Sequence, residues 1–219
     1  KLLGIHKVAN PDYVFLDLKI HTAAKPGFYP ITFMNNKGER VKYDFELKAR
    51  NNSGKHWQGF NSSDVIYLLM PDRFVNGNPG NDNHPDMLEK ADRTIPHGRH
   101  GGDIAGIKSH LDYIANLGFT AVWINPLLEN NMPEYSYHGY GITDFYRVDP
   151  RFGNNSDYVN LVYEAHNKGL KVIMDMVLNH CGVNHWFVSE SPDTDWLNSW
   201  AEPTWSNFRG EVNIDPYAS

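Results

Sequence analysis

The densest cluster of oxygen-bearing side chains is the run Asp72-Arg73-Phe74-Val75-Asn76-Gly77-Asn78-Pro79-Gly80-Asn81-Asp82-Asn83. Asn76, Asn78, Asn81 and Asp82 offer side-chain oxygens within one short loop that glycine and proline allow to curl, and a hard cation such as calcium takes roughly six to eight oxygens in a flexible shell. Gly101-Gly102-Asp103 adds the Gly101 carbonyl and the Asp103 carboxylate at the far end of the same excursion. No glutamate closes an EF-hand loop here. The same residues also suit an Asx-turn loop without metal, and composition leaves both readings open.

A second constellation is Tyr137-His138-Gly139-Tyr140-Gly141-Ile142-Thr143-Asp144-Phe145-Tyr146. Aromatic rings in such a loop can stack on the apolar face of a sugar while histidine and aspartate bond its hydroxyls; a packed, hydrogen-bonded loop is the alternative. The third is Asp175-Met176-Val177-Leu178-Asn179-His180. If the pleat persists, Asp175, Val177 and Asn179 share one face and Met176, Leu178 and His180 the other. A carboxylate at the mouth of a buried strand is costly unless paired, so Asp175 calls for an arginine or several donors, in a structural network or a binding site.

The elements that must position these residues change character along the chain. Up to about Arg50, alternating segments such as Tyr13-Val14-Phe15-Leu16-Asp17-Leu18 and Val41-Lys42-Tyr43-Asp44-Phe45-Glu46-Leu47, separated by Pro26-Gly27 and Asn35-Asn36-Lys37-Gly38, predict a small antiparallel sheet. Asn51-Asn52-Ser53-Gly54-Lys55 and Asn61-Ser62-Ser63 read as a linker. Beyond it, Val65 to Leu69, Phe119 to Ile124 and Leu170 to Val177 are apolar runs without strict alternation, as expected of strands buried on both faces. Helical spacing occupies Ile104 to Leu117, closed by Gly118, and Ser156 to Lys168, closed by Gly169. Three strand-loop-helix units in series predict an α/β sheet or barrel with parallel strands. A barrel needs eight such units, so the last strand's open edge calls for more chain. From Leu178 onward, Trp186, Phe187, Trp196, Trp200, Trp205 and Phe208 occur without periodicity and read either as carbohydrate platforms or as the core of a small subdomain.

Composition excludes several classes. A formal net charge of -6 and no basic stripe argue against nucleic acid as a partner. Cys181 is the one cysteine, which rules out an internal disulfide. His180-Cys181 with nearby His185 has neither a second cysteine pair nor an HExxH motif, so zinc is not expected. GxSxG, GxGxxG and a Walker loop are absent, and no apolar run is long enough to span a membrane.

Taken in order, Pro71-Asp72-Arg73-Phe74, Gly101-Gly102-Asp103, Tyr137-His138-Gly139-Tyr140 and Asp175-Met176-Val177-Leu178-Asn179-His180 resemble the α-amylase superfamily, glycoside hydrolase family 13, and look closest to its neopullulanase and cyclomaltodextrinase branch. The resemblance covers the chain from about Val65. It implies an incomplete (β/α)8 TIM barrel preceded by part of an immunoglobulin-like β-sandwich. The implied segments are 1–55 for the partial N-terminal β domain, 56–177 for the first three β/α units and 178–219 for the start of the domain B insertion.

By that resemblance, Asn76, Asn78, Asn81, Asp82, the Gly101 carbonyl and Asp103 match a Ca2+ loop. Tyr140 matches the aromatic beneath the sugar before the scissile bond, His180 a histidine bonding that sugar, and Asp175 the carboxylate that holds an arginine near the nucleophile. His138 belongs to the same sugar-facing loop, and Asn179 is kept as structural. The implied activity is retaining hydrolysis of α-1,4, and possible α-1,6, glucosidic bonds in maltooligosaccharides, cyclodextrins, pullulan or starch. A glucanotransferase or a noncatalytic glucan-binding protein is the alternative. The nucleophile and the acid/base are expected beyond Ser219, so no catalytic residue is assigned within the chain and these residues alone are expected to be inactive. The partners implied are an α-glucan, the remainder of the same polypeptide and a second copy in a homodimer, and the implied compartment is the bacterial cytoplasm or periplasm.

Overall fold

A computed structural model describes residues 1–50 and 59–198. The linker residues Asn51 to Lys55 and the aromatics Trp200, Trp205 and Phe208 lie outside the described residues. Strands β1 (Leu2–Lys7) and β2 (Val14–Leu18) pair antiparallel, as do β3 (Gly27–Met34) and β4 (Arg40–Leu47). The β3–β4 turn is an Asx turn, with Asn35 Oδ1 accepting from Lys37 N at 2.9 Å and Glu39 N at 3.0 Å. The single small sheet expected from the alternation is instead two separate two-stranded ribbons, and these are what the described residues show of the implied sandwich. Two strands share too little face to bury a row of side chains. Accordingly Phe28, Met34, Val41 and Tyr43 remain exposed.

The three expected buried strands form one parallel sheet in the order β5 (Ile66–Leu69), β6 (Ala121–Ile124), β9 (Lys171–Met174). Trp123 stands in register with Leu68 on one side and Ile173 on the other. At the foot of the sheet Asp64 accepts from Lys171 Nζ at 2.7 Å and Thr120 Oγ1 at 2.8 Å, joining all three strand entries. The Lys171 bond, with the Asn61 amide and the Thr120 hydroxyl, holds the Asp64 carboxyl down at about 2.

Helices cover one face of this sheet. Leu69, Val122 and Ile124 pack with Ile104, Ile107, Leu111, Ile114, Leu161 and Leu170 in the main core. Burying each such aliphatic side chain contributes roughly 1.5–3 kcal/mol. The helix expected over Ile104 to Leu117 is broken into α2 (Ile104–Ser109) and α3 (Leu111–Asn116), with α1 (Pro71–Phe74) preceding both. The break has a local cause. Ser109 Oγ donates to Gly106 O at 2.9 Å and His110 Nδ1 lies 3.0 Å from the same carbonyl, so side chains take an acceptor that the helix would use. Helix α4 (Asn155–Asn167) starts on a capping box between Asn154 and Asp157.

Two features depart further from expectation. The loop after β6 contains an antiparallel pair, β7 (Leu128–Glu129) with β8 (Asp144–Val148). The third barrel strand stops at Met174, so the pleat does not carry through to Asn179. Val177 is buried with Leu128, Ile142 and Phe145, while Leu178 is exposed. A short helix, α5 (Trp186–Ser189), follows.

Candidate functional site

Asp175 lies one residue beyond β9 and two beyond Ile173, so it shares the sheet face that Trp123 occupies through the register of β6 with β9. Its Oδ2 accepts from Trp123 Nε1 at 3.1 Å and from Tyr140 Oη at 2.9 Å. The requirement for an arginine or several donors is thus met, among the described residues, by two neutral donors. His180 Nε2 lies 3.0 Å from the Tyr140 carbonyl, and His138 Nδ1 accepts from the Tyr140 amide at 3.0 Å. The rings of His138 and Tyr140 are 5.7 Å apart. Tyr140, Asp175, His180 and His138, scattered over the sequence, therefore meet at the carboxyl end of the parallel strands. Among the described residues the Asn179 side chain reaches only His180, at 3.3 Å, which leaves it at the edge of the group. Burial first, then the hydrogen bond and charge of Asp175, push the Tyr140 phenol up to about 12. It therefore remains a donor at any physiological pH.

The loop that presents Tyr140 is fixed from beneath. Gly139 has φ +85°, and a Cβ there would stand 2.2 Å from the Pro126 carbonyl, so only glycine fits. Arg151, fully buried, donates through Nε and Nη2 to the two oxygens of Asp149 at 2.9 and 2.7 Å, and its remaining N–H groups reach the Asn130 and Glu89 carbonyls. Burial alone would raise the Asp149 carboxyl, but the Arg151 bond and the charges of Arg99 and Arg151 outweigh it and hold that carboxyl below the usual range. The sequence carried no periodic signal for this pair.

The oxygen-rich loop is brought together in part. Asn76 Nδ2 donates to Asp82 Oδ1 at 2.7 Å, and Gly101, at φ +88°, backs directly onto both side chains. The side-chain oxygens of Asn76 and Asn81 are buried without a hydrogen-bond partner. By contrast Asn78 Oδ1 accepts from the Gly80 amide, and the Asp103 carboxylate is taken by the amides of Gly77, Asn78 and Gly106. Among the described residues no group of three or more His, Cys, Asp or Glu side chains is placed to hold a metal. A cation here would depend on amide and carbonyl oxygens, and the two orphaned Asn oxygens fit that demand. The loop also touches the aromatic-histidine one: Arg73 pairs with buried Asp72, donates to the Pro96 and Gly98 carbonyls and lies over the Tyr137 ring at 4.1 Å.

Residues 68–214 match the family model described as alpha amylase, catalytic domain, a span that contains both loops and all three strand ends. The chain belongs to that family. Residues 1–51 match a second model, cyclomaltodextrinase, N-terminal. The chain is 45% identical over 121 residues to a beta/alpha-amylase of Paenibacillus polymyxa, covering 55% of this chain and 10% of that protein. It is 37% identical over 118 residues to a cyclomaltodextrinase of Geobacillus thermopakistaniensis, covering 54% of this chain and 19% of that protein. The crystal structure of an Anoxybacillus α-amylase superposes with a TM-score of 0.57 at 44% identity, covering 63% of this chain and 28% of that one. The chain thus spans well under a third of each of these relatives.

In this family member two histidines are kept neutral, His138 within the group and His185 packed among Phe145, Trp186 and Phe187. Burial pushes His138 down, against a smaller opposing pull from Glu89, and burial likewise pushes His185 down, against Asp144. His185 Nδ1 accepts from the Phe187 amide at 3.0 Å, a bond that protonation of that nitrogen would abolish. A histidine whose folded pKa is depressed contributes stability above its unfolded value of about 6.5 and loses it as pH falls through the folded value. The thermal midpoint is therefore expected to fall between about pH 7.5 and pH 5.5. Replacing both histidines by glutamine should flatten that fall, and an undiminished slope in the double variant would refute their part in it. Among the described residues no helix is long and apolar enough to cross a membrane.

Proposed function

We propose that the protein carrying this chain cleaves α-glucans by a retaining mechanism, acting on α-1,4 and secondarily α-1,6 glucosidic bonds of maltooligosaccharides and related glucans. The observation that carries this reading is the convergence of Tyr140, Asp175 and His180 at the carboxyl end of the strands, where active sites of such barrels form. Tyr140 is exposed enough to offer a ring face to a sugar, and its hydroxyl is anchored by Asp175. His180 and His138 present ring nitrogens beside it. These groups bind and orient. A retaining double displacement needs two opposed carboxyl groups, one as nucleophile and one as acid then base. Asp175 is committed to two donors and takes neither role; the nucleophile and acid/base are assigned to residues beyond Ser219.

Incubation of the full-length protein with maltooligosaccharides tests the reading: release of reducing ends with retained anomeric configuration is expected. Transfer to an acceptor sugar without net hydrolysis would reassign it as a glucanotransferase, and glucan binding without turnover would make it a noncatalytic binder.

Calcium is the cation proposed for Asn76, Asn81, Asp82 and the Gly101 carbonyl; Asn78 and Asp103, whose oxygens accept from backbone amides, shape the loop around it. It would stiffen the loop that Arg73 ties to Tyr137. At a calcium concentration about a hundred times its Kd, binding stabilises the fold by about 2.7 kcal/mol. Asp82→Ala is expected to abolish the calcium-dependent part of the thermal midpoint while changing the midpoint little in chelator. An equal loss in chelator would identify a structural loop without metal.

A further inference from the structure

We infer that Trp123 is a positioning residue for the glucan reaction, its indole N–H holding the Asp175 carboxylate in the orientation that aims the Tyr140 ring. The inference rests on the functional reading above. Strand β6 is buried at Ala121, Val122 and Ile124, yet its one large aromatic is 40% exposed. Trp123 points away from the helix-packed core, and register sets it beside Ile173, two residues before Asp175. Its Nε1 reaches Asp175 Oδ2, the same oxygen that Tyr140 occupies. One carboxylate oxygen thus receives both donors and, among the described residues, the other receives none. Two donors from different elements fix the plane of the carboxylate, where one would leave it free to rotate. Trp123 therefore acts through Asp175 on Tyr140 and does not itself need to touch the substrate.

The test is steady-state kinetics of the full-length protein on a maltooligosaccharide. Trp123→Phe keeps an aromatic ring in β6 and removes only the donor. It is expected to lower kcat about tenfold with KM changed less than about twofold and the thermal midpoint unchanged. Because Trp123 and Tyr140 act on one oxygen, Trp123→Phe combined with Tyr140→Phe should lose less than the product of the two single losses. Wild-type kcat in Trp123→Phe overturns the positioning role alone. A loss in Trp123→Phe that tracks a lowered midpoint and multiplies with that of Tyr140→Phe overturns it in favour of simple packing. A wild-type protein without glucan turnover overturns the functional reading, and this role with it.

Discussion

Asp175→Ala is expected to lower kcat/KM for maltooligosaccharide cleavage at least about 100-fold in the full-length protein while leaving it folded. The carboxylate accepts from Tyr140 and Trp123, and hydrogen bonds to a charged acceptor are worth about 1.5–3 kcal/mol each. If both are used to place the Tyr140 ring against the reacting sugar, loss of either is roughly a ten- to hundredfold effect on rate. The substitution removes both together, along with the acceptor proposed for an arginine near the nucleophile. An unchanged thermal midpoint would separate this kinetic loss from unfolding. Turnover within tenfold of wild type would mean that this carboxylate braces the strand end and nothing more.

The second large effect is one of stability. Arg151→Met is expected to destabilise the fold by about 3–5 kcal/mol, because it strands the fully buried Asp149 carboxylate without its bidentate partner. The same guanidinium satisfies the Asn130 and Glu89 carbonyls, so the loop leading to Ser136 and Tyr140 should loosen as well. Denaturant unfolding measures the first consequence. Proteolysis between residues 130 and 140 before global unfolding reports the second. A cost below about 1 kcal/mol would show that water enters and replaces the arginine. Replacing Asp149 and Arg151 together by apolar residues should cost less than Arg151→Met alone, since no unpaired charge then remains.

The parallel sheet was the most legible part of the fold. Continuous apolar runs marked its three strands, and Gly118 and Gly169 the helix ends, but the expected burial on both faces is not found among the described residues: Leu68 and Trp123 are exposed on the face that the helices do not cover. The β7–β8 pair escaped notice because β7 is two residues long, too short to show alternation. The break at His110 depended on which carbonyl Ser109 and His110 would seek, a choice that helical spacing does not encode. In the N-terminal part, alternation announced strands correctly but not their partners, and a predicted single sheet became two ribbons.

The sequence by itself determined the residue types of the site and the order in which they occur: an oxygen-rich loop, an aromatic-histidine loop and a carboxylate at a strand end. That information is local, because each run is contiguous. Tertiary structure alone decided what each residue does with its neighbours. Tyr140 and Trp123 lie 35 and 52 residues from the Asp175 they share, and nothing between them predicts a common oxygen. Their meeting depends on the β6–β9 register, and a slip of one residue would turn Trp123 to the opposite face of the sheet. In the oxygen-rich loop, the same distinction separates Asn76 and Asn81, left with free buried oxygens, from Asn78 and Asp103, whose oxygens the backbone takes. Hydrogen bonds form between groups that the fold brings within about 3 Å, and sequence spacing does not measure that distance.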